Sequence, residues 1–222
     1  LTCKIADCLE GKIEIHLIEL GPRILSQGKA FNQEQAKIAL SKRGITLNLN
    51  TQVVKVNASH IEIKDLKNEE VPNSLLPHAE LIWAAGKKPN FPLITPEMTF
   101  AKEFLPINES LQIRSHQNIL ALGDTASNKE NTLPSSAQVA IQQGELAAKV
   151  LIALQNNTEM PTFEFQDLGE MLSLGIGEAT ITSMGFTLAG PLAYQIRRMA
   201  YLSRFPTISL GLRSAGAWLL EH

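Results

Sequence analysis

The amino-acid sequence predicts an α/β fold. Three observations carry that expectation. Strand-like and helix-like segments alternate along residues 1–100, as layered α/β domains require. An apolar run ending in Gly123-Asp124 leads into a long amphipathic segment. The 222 residues, 44% hydrophobic and 19% charged, suffice to bury one large core or two smaller ones.

Taken in order, residues 1–10 have the pattern of an amphipathic helix tail stopped by Gly11. Ile13 to Glu19 alternates as a strand buried on one face. Asn32 to Arg43 is helical, with Asn32 placed as its cap and Gly44 as its stop. Ile45–Leu49, Gln52–Val56 and His60–Lys64 are short strands, the last closed by the polar turn Asp65–Glu70. Ala79–Ala85 is a strongly apolar strand stopping at Gly86–Asn90. The Pro-rich stretch Pro92–Pro106 suits a crossing between domains. Ile119–Asp124 is expected as a buried strand, and Ser135–Leu154 as a long helix apolar on one side. Phe163–Leu174 and Ala179–Leu188 have strand character, and Gly190–Glu221 is helical and unusually apolar. No internal repeat is visible.

Composition narrows the function. A net charge of −2 gives no general reason to expect nucleic acid as a partner. No run of 18 or more uncharged apolar residues is present to form a transmembrane helix. The two cysteines, Cys3 and Cys8, stand in a helical stretch without Gly or Pro. Residues five apart on a helix lie about 140° round the axis and about 8 Å apart, too far for a disulfide, so free thiols and a reducing compartment are expected. The five histidines are scattered without metal-ligand spacing, and no catalytic side chain is singled out. The sequence opens without methionine on residues of helical character, which is expected of a fragment.

Four constellations carry chemistry. Glu19 ends a strand, where an acid in dinucleotide-binding folds accepts bonds from the adenosine ribose; a carboxylate there would repel a 2′-phosphate and favour NADH over NADPH. Taken alone it is equally a solvated strand-end Glu. The glycine loop of such folds precedes the acid by about 20 residues, which places it before Leu1. Gly175-Ile176-Gly177 is no substitute, because its third glycine is absent and it is expected to be a turn. Gly123-Asp124 is the second constellation: the glycine allows close backbone approach and the aspartate can accept bonds from a ribityl hydroxyl of a flavin, or merely cap a turn. The third is Leu133–Gln143, which opens the long helix with a proline. Its N-terminal amides suit negative charge at the pyrimidine edge of a flavin, while Gln138 and Gln142, four apart, share one face. The fourth is 190–222, where Arg197, Arg198, Arg204 and Arg213 lie among Tyr, Trp, Phe and Leu. That mixture suits an in-plane membrane anchor, or a helical hairpin in a dimer interface or core.

Three stretches in order, Leu81–Gly86, Asn118–Ala126 and Ala137–Gln143, resemble signatures of the type II NADH dehydrogenases. The tail, with Asp167–Gly175, Gly190-Pro191-Leu192 and Arg204–Thr207, resembles the cyanobacterial and plastid branch, which acts on demethylphylloquinone and plastoquinone. The resemblance spans essentially the whole chain and is strongest from residue 80 onward. It implies the C-terminal portion of a two-dinucleotide-binding-domain flavoprotein fold with a C-terminal amphipathic helical segment. It divides the chain into 1–78, the remainder of the NAD(P)H-binding domain, 79–158, part of the FAD-binding domain, and 159–222, a β/helical segment for membrane association or dimer contact.

The implied activity is an NAD(P)H:quinone oxidoreductase that passes two electrons from NADH through FAD to a membrane quinone. Gly123, Asp124, Ala137 and Gln138 would contact FAD, Glu19 and Gly86 NADH, and Gln138 and Gln142 the quinone. The implied partners are that quinone and a membrane surface met by 190–222, with a homodimer also implied. The implied location is the cytoplasmic face of a thylakoid or plasma membrane. Both glycine loops fall outside the sequence, so residues 1–222 alone are expected to be colourless. The alternatives are a soluble flavin reductase of the same fold and a non-catalytic docking module.

Overall fold

The computed structural model describes residues 1–68, 70–86, 104–128 and 132–220. They form two compact units, one of Leu1–Leu81 with Leu168–His222 and one of Ile82–Asp167. The expected third part, 159–222, is divided between them. The expected stop at 87–90, most of the Pro92–Pro106 stretch, and Glu221 with His222 lie outside the described residues.

The first unit opens with α1 (Thr2–Cys8), which buries Cys3 and Ala6. Cys3 and Cys8 are free thiols, Cys3 buried and Cys8 exposed, and burial raises the Cys3 thiol above its ordinary value. A βαβ unit follows. β1 (His16–Ile18) and β2 (Thr46–Asn48) pair in parallel with His16 opposite Thr46, and α2 (Ala30–Lys42) connects them. A helical crossover is the usual way to join neighbouring parallel strands. Ala36, Ala39 and Leu40, at helical spacing, turn α2 onto Ile24, Ile45 and the α1 residues.

Asn32 is not the cap of α2. The helix starts two residues earlier, Lys29 occupies the cap position, and Asn32 is fully buried in the first turn. Its Nδ2 donates to Glu170 Oε2 at 2.7 Å, and its Oδ1 accepts from Thr182 Oγ1 at 3.1 Å. The same Glu170 oxygen accepts from Lys29 N–H at 2.9 Å. A carboxylate from far along the chain thus supplies the acceptor that a local cap would provide, with the favourable sign for a helix N-terminus.

Next come β3 (Thr51–Val56), β4 (His60–Asp65) and β5 (Ser74–Pro77), an antiparallel sheet in that order. Residues 79–85 are not a strand. Ile82 and Trp83 are 61% and 60% exposed, and no described strand is hydrogen-bonded to the segment. Apolar composition favours a strand only where a neighbour completes the ladder.

In the second unit β6 (Leu105–Pro106) pairs in parallel with β9 (Ala126–Ser127). Between them β7 (Gln112–Ile113) and β8 (His116–Leu120) form an antiparallel hairpin. The expected buried strand Ile119–Asp124 is therefore corrected. β8 ends at Leu120, is only half-buried and runs antiparallel, and Gly123–Thr125 is a single 3₁₀ turn leading into β9. Then α3 (Ala137–Asn156) lays Leu146, Ala147 and Val150 onto Leu105, Ile107 and Leu111, and buries Val139 and Ala153 as well. Ser136 caps it, its hydroxyl accepting from Val139 N–H at 3.3 Å, and Asn157 closes it in the left-handed region.

The chain returns to the first unit with β10 (Glu170–Ser173), β11 (Ala179–Ser183) and β12 (Phe186–Gly190), an antiparallel meander. Two expectations change here. Of Phe163–Leu174 only the last residues pair, and Ala179–Leu188 is two strands. Met184 and Gly185 both take positive φ, +49° and +81°, the conformation of a two-residue hairpin turn whose twist matches its strands. α4 (Pro191–Leu202) starts on a proline and packs on β11 and β12; α5 (Ile208–Leu220) follows.

One charged cluster ties α1, α2 and the β10–β11 turn together. Arg43 meets Asp7 with two bonds, 2.6 and 3.1 Å, and donates to Glu178 at 3.0 Å, while Lys42 reaches Glu178 at 2.5 Å. Ile176 N–H donates to Asp7 at 2.7 Å. Burial works against the Asp7 charge, but Arg43 and the Ile176 amide outweigh it and hold the carboxyl below its ordinary value. Lys42, helped by Arg43, does the same for Glu178. Gly175 is part of the expected turn. A side chain there would collide with Arg43 and Asp7, and its φ of +128° suits glycine alone.

Candidate functional site

The site is built in the second unit from the turn before β9 and the start of α3. Gly123 adopts φ +66°, and a Cβ on it would lie 3.3 Å from Ala140 Cβ on α3. Helix and turn therefore approach backbone to side chain. Gln143 fixes that approach: it is 4% exposed, and its Oε1 accepts from Gly123 N–H at 2.7 Å. Thr125 Oγ1 donates to Leu122 O at 3.0 Å and tightens the same turn. A buried amide acceptor aimed at a half-buried backbone N–H costs stability if either partner is removed.

The turn and the helix start enclose a cleft of about 270 Å³ lined by Gly123, Asp124, Ser135, Ser136, Val139 and Gln143 among others. A second cavity of about 200 Å³, with Asn108 and Glu109, shares Gln143, Ile107, Asn128 and Leu133 with it. The N-terminal end of α3, the positive end of its dipole, borders the first cleft. Asp124 is exposed beside it. A carboxylate acceptor, a glycine turn open to close approach and a helix N-terminus suit a ligand with sugar-type hydroxyls and an anionic edge. The volume lies below the roughly 300–1,000 Å³ of whole-ligand pockets, so the cleft has room for only part of a large ligand.

Of the residues singled out in the sequence, Gly123 and Asp124 line this cleft. Ala137 and Gln138 form the first turn of α3 beside the lining Ser135 and Ser136. Gln142 faces elsewhere: its amide holds the backbone of Gln166, accepting at 3.0 Å and donating at 2.9 Å. Glu19 lies just past β1 in the other unit, its Oε1 accepting from Gly21 N–H at 2.8 Å. Gly86 lies in coil with φ +74°. The residue that sequence reasoning missed is Gln143. Its signal was present, because position 143 falls inside the apolar stripe 139, 146, 150, where a polar side chain must find a buried partner.

Comparison with known proteins adds four findings. Residues 2–144 match the family model for pyridine nucleotide-disulphide oxidoreductases. The chain is 33% identical over 234 residues to the demethylphylloquinone reductase NdbB of Synechocystis sp., covering 99% of this chain and 56% of that protein. It is 30% identical over 243 residues to the alternative NAD(P)H-ubiquinone oxidoreductase C1 of Arabidopsis thaliana, covering 100% of this chain and 46% of that protein. The chain thus spans about half the length of these curated relatives. The solved structure of NDH2 from Plasmodium falciparum in complex with NADH superposes with a TM-score of 0.76 over 88% of this chain and 55% of that one. At 16% identity this is a likeness of fold.

Proposed function

Since the chain belongs to the pyridine nucleotide-disulphide oxidoreductase family, in its type II NADH dehydrogenase group, we propose that the protein is a flavin-dependent NAD(P)H:quinone oxidoreductase. The observation that carries this reading is the single cleft shared by the Gly123-Asp124 turn and the start of α3. FAD, when bound, supplies the two-electron chemistry between a nicotinamide and a quinone, and the protein supplies position and electrostatics.

The roles of this chain's residues follow from their chemistry. Asp124 accepts hydrogen bonds from polyol hydroxyls. Gly123 lets the backbone come close, and Gln143 holds that backbone in place so that no reorganisation is needed on binding. The start of α3, at Ala137 and Gln138, favours negative charge at the edge of the bound ring system, with Gln138 on the quinone side. Gln142 contributes by fixing the 166 segment over α3. Glu19 accepts the hydroxyls of the adenosine ribose and disfavours a 2′-phosphate, so NADH is the preferred donor. Gly86 ends the segment that carries the chain beside the nucleotide.

The quinone is a naphthoquinone of the demethylphylloquinone type; the 33% identity to the Synechocystis enzyme supports this choice. No helix among the described residues is long and apolar enough to cross a membrane, and α4 with α5 provides in-plane contact with the cytoplasmic face. The test is NADH oxidation by the product of the complete reading frame, followed at the NADH absorbance band with a short-chain naphthoquinone. Turnover that needs both FAD and quinone is the expected result. A protein that holds FAD and turns over no quinone overturns the reading.

A further inference from the structure

Between Gly190 and Leu220 the chain carries four arginines and no Asp, Glu or Lys. Three of them converge where α4 meets α5, on a pocket of about 340 Å³ lined by Arg197, Arg198, Tyr201, Arg204, Phe205 and Trp218. Each guanidinium lies over an aromatic ring: Arg197 is 4.6 Å from the Tyr201 ring centre, Arg198 4.5 Å from Trp218, and Arg204 5.8 Å from Tyr201. Stacking of this kind fixes the plane of a guanidinium and leaves its N–H edge for a hydrogen-bond acceptor. No carboxylate among the described residues pairs with any of the three. Arg197 Nε is buried and has no acceptor among the described residues. Among the described residues these three cations lie at close quarters with no counter-charge, an arrangement that an anion would relieve, and planar guanidinium forks match phosphate oxygens.

The surroundings select the anion's source. α4 exposes Leu192, Ile196 and Met199 at helical spacing, and α5 exposes Ile208 and Leu212, at 83% and 69%. A soluble phosphate leaves these stripes in water, whereas a lipid brings acyl chains with its phosphate. We propose that the α4–α5 pocket is a headgroup site for an anionic phospholipid, its phosphate held by Arg197, Arg198 and Arg204. The proposal rests on the membrane-association part of the reading above and adds the lipid class and the residues that select it.

The test uses the product of the complete reading frame and co-sedimentation with two vesicle types, phosphatidylcholine alone and phosphatidylcholine with phosphatidylglycerol. Binding is expected to be on the order of 100-fold tighter to the anionic vesicles, at about fivefold per arginine near an anionic surface. The triple variant Arg197→Gln, Arg198→Gln, Arg204→Gln is expected to lose that preference while oxidising NADH with a water-soluble quinone at the normal rate. Equal wild-type binding to both vesicle types overturns the proposal without reference to any variant. So does release from anionic vesicles by inorganic phosphate at constant ionic strength, which would assign the pocket to soluble anions. If anionic preference is found in a protein without quinone turnover, the enzymatic reading fails and the headgroup site stands.

Discussion

Two glycines, one in each unit, sit in turns held by a long polar side chain, and the way they are held separates scaffold from site. At Gly175 the holder is Arg43, whose charge is answered by Asp7 and Glu178, themselves tied to Lys42 and to a backbone amide. The three main side chains are 11%, 20% and 25% exposed, and no room is left for a Cβ at the glycine. At Gly123 the holder is Gln143, a neutral amide with one strong bond, and the adjacent carboxylate of Asp124 is exposed beside a cleft. Where charges answer one another the arrangement stabilises a turn. Where a neutral group does the holding, the neighbouring carboxylate is exposed at the mouth of a cleft.

Substitutions should sort along that line, from large effects on stability to small ones. Gly175→Ala is expected to cost the most, more than about 3 kcal/mol, because a Cβ meets Arg43 and Asp7 in a strained backbone. At about 2–4 °C per kcal/mol for a chain of this size, the melting temperature should fall by roughly 10 °C. A fall of a degree or two would break the comparison on the scaffold side.

Arg43→Met comes next, at about 3 kcal/mol, since it leaves the partly buried Asp7 without its cation and Glu178 with Lys42 alone. It should also change the acid response. Asp7 and Glu178 titrate below their ordinary values of 3.8 and 4.5 when folded. Their stabilisation is therefore full above those values and is lost as pH falls through the lower folded ones. Melting temperatures measured from pH 7 down to pH 2.5 should decline below about pH 4.5 in the native protein and decline less in Arg43→Met. Parallel curves would remove the cluster as the cause.

Gln143→Leu keeps the volume and removes the acceptor for Gly123 N–H, at about 1–2 kcal/mol. FAD retention after gel filtration should fall further than this modest destabilisation explains. Asp124→Ala should change stability least, within about 0.5 kcal/mol for an exposed side chain, and flavin retention most. An Asp124→Ala protein that keeps its full yellow absorbance would remove that carboxylate from the site.

The same contrast explains what could be read from sequence. α2, α3 and the strands β2 to β4 follow from apolar spacing and glycine stops, which are local signals. Gly123-Asp124 and the start of α3 were visible as a turn and a helix N-terminus. Their closeness was not, because it depends on Gln143 reaching back to residue 123. The strand read over Ala179–Leu188 is broken at Met184-Gly185, where a methionine in the left-handed region hides a turn that Asn-Gly would have announced. Ala79–Ala85 carried a strand's composition without a ladder partner among the described residues. Asn32 was misplaced as a cap because its partner, Glu170, lies far along the chain.

That last bond has a consequence for synthesis. Lys29 N–H and Asn32 Nδ2 are both met by Glu170, 141 and 138 residues downstream. At about 5–20 residues per second, a ribosome needs on the order of 10 s to deliver that carboxylate after α2 has been made. Throughout that interval the nascent chain exposes a helix without its acid clamp and an apolar face without the β10–β11 turn that covers it. The emerging protein is most open to proteases and to chaperones then, and it closes to them once β10 and β11 have left the exit tunnel.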